Sequence, residues 1–133
     1  MILKTKKPHL NGEKLSIPTQ KKITLPILDL LKNGKALHID QIEKKLAEYF
    51  KLSREETQTK KSSGGEGLFH NRIRWAAFYL RKAGLIESPK SGHSKITSDG
   101  LGVLKEKPIE INTLYLSKFS KFQEWKRISQ KPK

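Results

Sequence analysis

Residues 68–97 read LFHNRIRWAAFYLRKAGLIESPKSGHSKIT, and this stretch decides the fold. Apolar side chains recur at helical spacing through its first half, at Phe69, Ile73, Ala76, Ala77 and Leu80. Gly84 is placed to end that helix, and two short segments suited to strands follow on either side of a basic turn. The pattern predicts a helix over 68–83 and then a β-hairpin with strands at 85–88 and 93–97.

The chain before this stretch predicts a first helix that opens near Thr24. Pro26 then falls in the first turn, where a missing N–H has no helical partner to lose. Gly34 is the expected C-terminal stop, and residues 35–38 are expected to be extended.

A second helix is expected to begin at Asp40, because Asp40 and Glu43 have the spacing of a capping box. The apolar residues that share one face of this helix are Ile39, Ile42, Leu46, Tyr49 and Phe50. A polar connection follows, with one helical turn expected near residues 53–58. The connection is longer than the turn of a standard helix-turn-helix.

After the hairpin, Thr97 is expected to cap a helix that Pro108 ends. Residues 114–119 and 122–128 predict short helices, with Ser120 as a candidate cap between them. The aromatic residues expected to dock these helices on the body are Tyr115, Phe119, Phe122 and Trp125. The predicted fold class is mainly α with a small β-hairpin, a winged helix-turn-helix with extra C-terminal helices.

Length and composition suit one such domain. The chain has 133 residues and no cysteine, which removes disulfides and thiolate metal sites. We expect a basic flexible segment at 1–16, the winged-helix domain at 17–128, and the start of a linker or tail at 129–133. No segment approaches the roughly 20 apolar residues that span a bilayer, and no signal peptide is recognisable. These features favour a cytoplasmic protein without a membrane partner.

Charge points to an acidic partner. Lys and Arg number 28 against 13 Asp and Glu, a formal net charge of +15. The excess is uneven: residues 60–97 carry eight basic and two acidic residues, whereas residues 23–59 carry six of each. Because such a surface repels itself, nucleic acid is the first candidate partner.

The polar face of the helix over 68–83 carries the residues expected to contact DNA. An α-helix fits the major groove of B-DNA. There Arg74 suits a bidentate contact with guanine and Asn71 suits adenine. Arg81 and Lys82 are expected to contact phosphates, which set the register and give salt-dependent affinity. His70 lies on the same face of the helix.

The hairpin tip is expected to act as a DNA-contacting wing. Its lysines, hydroxyls and ring suit close approach to a phosphate backbone or a groove; they are Lys90, Ser91, His93, Ser94 and Lys95. Lys60 and Lys61 precede the helix over 68–83 and are expected to order on phosphates.

Two aromatic residues of the same helix have different expected roles. Trp75 is expected to pack against the hairpin strands or the C-terminal helices. Phe78 lies nearer the polar face and is a candidate DNA contact, because an apolar group in a groove can sense the methyl group of thymine.

The pattern of residues 69–76, FHNRIRWA, resembles the N-terminal domain of Mrr-type restriction endonucleases. It continues as YLRKAGLIE over 79–87 and then through Gly92 and Gly100. The resemblance covers residues 16–128. It implies a winged-helix domain that binds double-stranded DNA, typically methylated DNA, ahead of a nuclease domain of the PD-(D/E)xK type.

The resemblance also implies where any catalysis resides. A divalent metal such as Mg²⁺ would belong to the nuclease domain, which these residues do not contain. We therefore expect no enzyme activity, cofactor or metal in this chain, which would be an excised domain or a stand-alone reader. The four histidines, His9, His38, His70 and His93, are scattered and show no ligand spacing.

Two other functions remain open on the residues alone. A winged-helix transcription regulator would be a stable dimer on half-sites about one helical turn apart. A protein-interaction module would bind DNA only non-specifically. Self-association, or a nuclease domain in cis, is the expected protein partner.

Overall fold

The computed structural model describes residues 17–60 and 67–129, and this part of the chain forms seven helices and a three-stranded antiparallel sheet. The helices are α1 Gln20–Leu30, α2 Ile39–Tyr49, α3 Arg54–Gln58, α4 Leu68–Lys82, α5 Ser98–Glu106, α6 Thr113–Leu116 and α7 Ser120–Ser129. The strands are β1 Leu37–His38, β2 Ile86–Glu87 and β3 His93–Ile96. The fold is mainly helical and winged-helix-like, as predicted.

The predicted helix and hairpin are confirmed as α4, β2 and β3. All five residues of the predicted apolar face of α4 are buried. Gly84 has φ +81°, a conformation that glycine adopts without a steric penalty, and it lets the chain turn directly from α4 into β2. The extended piece at 35–38 adds β1 as a third strand, which pairs with β3 so that Leu37 lies opposite Ser94.

The core lies where α1 packs across α4, with α2 closing one side. Arg72 links this core to the start of the described chain, because its guanidinium donates to the carbonyls of Ile17 and Pro18 at 3.1 and 3.0 Å. Arg72 therefore has a structural role, although it lies on α4 together with the basic residues predicted to contact DNA.

The predicted start of α1 was wrong. The helix begins at Gln20 rather than near Thr24, so Pro26 lies inside it and removes one helical hydrogen bond. The side chains of Ile23 and Thr24 are buried, and the Thr24 hydroxyl donates to the Ile111 carbonyl at 2.5 Å. Packing of this earlier turn stabilises it in spite of the proline.

The predicted cap of α2 was also wrong. His38, rather than Asp40, occupies the N-cap: its Nδ1 accepts the Asp40 N–H at 3.1 Å. In return, the side-chain oxygen of Gln41 accepts the His38 N–H at 2.8 Å. Tyr49, the last residue of α2, is 63% exposed rather than part of the apolar face.

The helical turn predicted near 53–58 is confirmed as α3, and Thr97 caps α5 by accepting the Gly100 N–H. The C-terminal helices dock through aromatic residues, as expected. Phe122 is fully buried, with its ring 6.0 Å from that of Tyr79. Burial and a hydrogen bond to Glu106 raise the pKa of Tyr115 to about 12, so its hydroxyl remains a donor at neutral pH.

Candidate nucleic-acid interface

An open cleft of about 680 Å³ separates α4 from the tip of the β2–β3 hairpin, which we call the wing (residues 88–95). Seven of the residues predicted to contact DNA line this cleft: His70, Arg74, Phe78, Arg81, Ser91, His93 and Ser94. The fold thus brings together two segments that are separate in the sequence. Trp75 and Ser88, which were not among the predicted contacts, also line the cleft.

Arg74 and Arg81 form the basic edge of α4. Both are exposed, and they lie two turns apart on the same side of the helix, a rise of about 10.5 Å. Arg81 and Lys82 also occupy the last turn, where cations interact favourably with the helix dipole. Lys82 is turned toward the aromatic cluster, with its Nζ 5.2 Å from the Phe78 ring centroid, and it does not line the cleft.

The wing tip contacts the backbone and side chains at the start of α2. Gly92 has φ +76°, and a Cβ there would meet the His38 ring at 2.9 Å. The Gly92 carbonyl accepts the Ile39 N–H at 2.9 Å. His93 stacks edge-on against the His38 ring at 5.1 Å. Only glycine allows this close approach without displacing His38, so the wing tip is held against the body.

The wing residues divide between a side that lines the cleft and a side that faces away from it. Ser94 is buried and lines the cleft, whereas Lys95 is exposed and lies opposite Glu87 in the strand register. Lys90 is exposed at the tip. Neither lysine lines the cleft, so the wing offers hydroxyls and a ring toward α4 and lysines toward the outside.

Trp75 differs from its expected packing, whereas Phe78 lines the cleft and stays a candidate contact. Trp75 is 46% exposed on the cleft wall rather than packed against the strands or C-terminal helices. Phe78, the candidate DNA contact, is half-buried, with its ring 5.4 Å from that of Trp125 on α7. Because α7 covers the Phe78 side of α4, Trp75 is the aromatic residue with the greater exposed surface.

The remaining predicted contacts lie near the start of α4. Asn71 is half-buried in the first turn of the helix. Lys60 is exposed and forms a β-bridge with Gly67, which brings the two ends of the intervening connection together. Lys61 lies outside the described residues.

His70 is held by a residue of α2. Its Nδ1 lies 2.5 Å from Oε1 of Glu43, and both side chains are shielded from solvent over most of their surface. This contact joins residues 27 positions apart, so no local sequence pattern indicates it. His70 therefore belongs both to the cleft and to the packing between α2 and α4.

The family model described as the Mrr N-terminal domain matches residues 21–106, which run from α1 through α5. No curated protein and no solved structure shows a significant match to the chain. Within 17–60 and 67–129, no helix has the length and apolar character needed to cross a membrane. Because the family model matches well over half of the chain and includes both walls of the cleft, the chain belongs to the Mrr N-terminal domain family, a family of non-catalytic domains of restriction-system proteins.

Proposed function

We propose that this domain binds duplex DNA and recognises the target of a restriction endonuclease. The observation that carries the proposal is the cleft in which α4 and the wing face each other. Arg74, Trp75 and Arg81 lie on one wall, and wing hydroxyls lie on the other. In a chain of net charge +15, a groove with two guanidinium groups on its edge is suited to a polyanion.

In the proposed complex, α4 enters the major groove and the wing follows the adjacent backbone. Arg74 lies in the N-terminal half of α4, where recognition helices contact base edges. Its planar guanidinium matches guanine O6 and N7, and Asn71 matches adenine N6 and N7. Arg81 and the wing hydroxyls bind phosphates, which position the helix without reading sequence.

The domain serves a nuclease domain of the PD-(D/E)xK type in cis, in which a divalent metal such as Mg²⁺ supports hydrolysis. The family to which the chain belongs supports this assignment. A reader of this kind acts in the prokaryotic cytoplasm, bound to DNA.

The proposed target carries a methyl group on a base. Trp75 offers an exposed apolar ring surface beside Arg74, and an apolar side chain in the major groove can contact a base methyl. The test is fluorescence-anisotropy binding to a pooled duplex library in unmethylated, adenine-methylated and cytosine-methylated sets, at two salt concentrations. We expect tighter binding to one methylated set. Equal binding to all three would refute methyl reading, and uniformly weak, salt-sensitive binding would refute target recognition.

Substitutions of Trp75 and Phe78 are expected to separate DNA binding from folding stability. Trp75→Ala should weaken DNA binding by roughly 1–2 kcal/mol, about five- to thirtyfold, because its exposed ring surface becomes buried in the complex. Phe78→Ala should instead lower the free energy of unfolding by about 1–3 kcal/mol, because it removes a ring packed against Trp125. Urea denaturation and anisotropy on both variants check this. The reverse assignment of the two effects would contradict the proposed interface.

The wing lysines are expected to act on phosphates alone. The double substitution of Lys90 and Lys95 by Ala should weaken binding to all duplexes alike and flatten the salt dependence by about 1–2 units, since each phosphate contact contributes about 0.9. The single variants Lys90→Ala and Lys95→Ala measure separately how much the wing tip and the outer face of β3 contribute to the salt dependence. An unchanged slope in the double variant would remove the wing from the phosphate backbone.

A further inference from the structure

Three side chains that can bind a metal ion meet at the N-terminal ends of α2 and α4, beside the cleft. Asp40 and Glu43 come from α2 and His70 from α4, and one ligand atom of each lies within 4.8 Å of the others. His70 also lines the cleft. The two carboxylates are three residues apart on one helix, so the backbone of α2 fixes their spacing.

The charges at this point are unusual for a DNA-binding face. Like charges three residues apart on a helix repel each other, and carboxylates beside the first turn of α4 also repel phosphates. Asp40 and Glu43 place two carboxylates at this point. A divalent cation among the three side chains would offset both, and the same face could then accept a phosphate.

The donor atoms suit a borderline transition metal. One imidazole nitrogen and two carboxylate oxygens match zinc-type ions, whereas Mg²⁺ and Ca²⁺ prefer oxygen ligands throughout. Ligand atoms on a tetrahedral zinc ion lie roughly 3.3 Å apart, given bonds of about 2.0–2.1 Å. His70 Nδ1 and Glu43 Oε1, now 2.5 Å apart, would therefore have to separate by under about 1 Å, within the range of a side-chain adjustment.

We propose that Asp40, Glu43 and His70 bind a zinc-type divalent ion, which links α2 to α4 and makes the start of α4 attractive to phosphate. Three protein ligands leave a fourth coordination position for a water molecule or a phosphate oxygen. The metal site itself is independent of the proposed function, whereas its effect on DNA rests on that function.

Isothermal titration of Zn²⁺ into the chelator-treated chain, carrying no polyhistidine tag, tests the site. We expect one ion per chain. Removing a ligand by Glu43→Gln or His70→Ala should weaken binding by about 100-fold or more, since even indirect partners of a metal contribute 10–100-fold. Asp29→Asn, which removes an exposed carboxylate on α1, should leave affinity unchanged, and Mg²⁺ should not compete.

Thermal melts establish that each variant is folded. If His70→Ala is unfolded, Glu43→Gln tests the zinc site alone, because it keeps a polar group beside His70. Absence of saturable zinc binding would overturn the site, as would wild-type affinity in Glu43→Gln. Anisotropy with and without Zn²⁺ then tests the consequence: wild-type affinity for DNA should rise several-fold and that of Glu43→Gln should not. Zinc binding with unchanged DNA affinity would overturn only the phosphate role, and DNA binding without zinc binding would overturn only the site.

Discussion

Replacing Gly100 by Ala is expected to lower the free energy of unfolding by about 3 kcal/mol or more, at the upper end of overpacking penalties. A Cβ at this buried position would lie 2.3 Å from the Leu85 carbonyl oxygen and 2.6 Å from Cγ1 of Ile96. The Leu85 carbonyl accepts the N–H of Thr97 at 3.0 Å. It therefore cannot turn away without breaking the junction between the β2–β3 hairpin and α5. Urea denaturation of the variant measures the loss.

Gly102→Ala is the matched control for this prediction. Gly102 belongs to the same helix, is exposed, and a Cβ there would meet no atom within 4 Å. Because alanine has the higher helix propensity, this change should raise the free energy of unfolding by up to about 1 kcal/mol. Equal effects of the two substitutions would show that α5 does not pack on the wing strands as described.

The parts of the fold that the sequence predicted are those with local signals. Helix α4 has five apolar residues at regular spacing and a glycine stop, and the hairpin follows within a few residues. Thr97 caps α5 through a hydrogen bond to Gly100, three residues away. Such patterns depend mainly on neighbours in the chain, so they can be recognised from the sequence alone.

The prediction failed where distant contacts compete with local preference. In α1, Thr24 is buried and donates to a carbonyl 87 residues away, a contact that no local pattern around the helix start indicates. The sequence does not indicate His38 as the cap of α2, because imidazole is not among the preferred capping groups. Its ring is held between the Asp40 N–H and the wing, and the wing contact exists only after the fold has formed.

In the candidate site, the exposed side of α4 is predictable from the sequence, but the part of it that another helix covers is not. A helical wheel fixes the direction of each side chain of α4, and it correctly put Arg74 and Arg81 on an exposed side. It cannot say which part of that side a later helix covers. Docking of α7 covers part of Phe78 and leaves Trp75 46% exposed, so the wheel did not indicate that Trp75 presents the larger surface to the cleft.

Arg74 is expected to carry the largest single share of sequence discrimination. Its side chain lines the cleft beside Trp75 in the N-terminal half of α4, where a guanidinium can bind guanine O6 and N7 at once. A bidentate pair of this kind contributes about 1–3 kcal/mol of discrimination. Arg74→Ala should therefore lower the preference for the target duplex over a scrambled duplex by about 5- to 150-fold, as measured by competition anisotropy.

Arg74→Lys separates base reading from charge. Lysine keeps the positive charge but lacks the planar fork of the guanidinium, so the variant should retain the salt dependence of the wild type and lose most of its preference for the target. Arg81→Lys, at a position assigned to phosphate, should keep both. If Arg74→Lys retains full discrimination, Arg74 contacts the backbone, and sequence reading must come from other residues of the cleft. Equal weakening of all duplexes by Arg74→Ala would lead to the same conclusion, because losing a phosphate contact lowers affinity without regard to sequence.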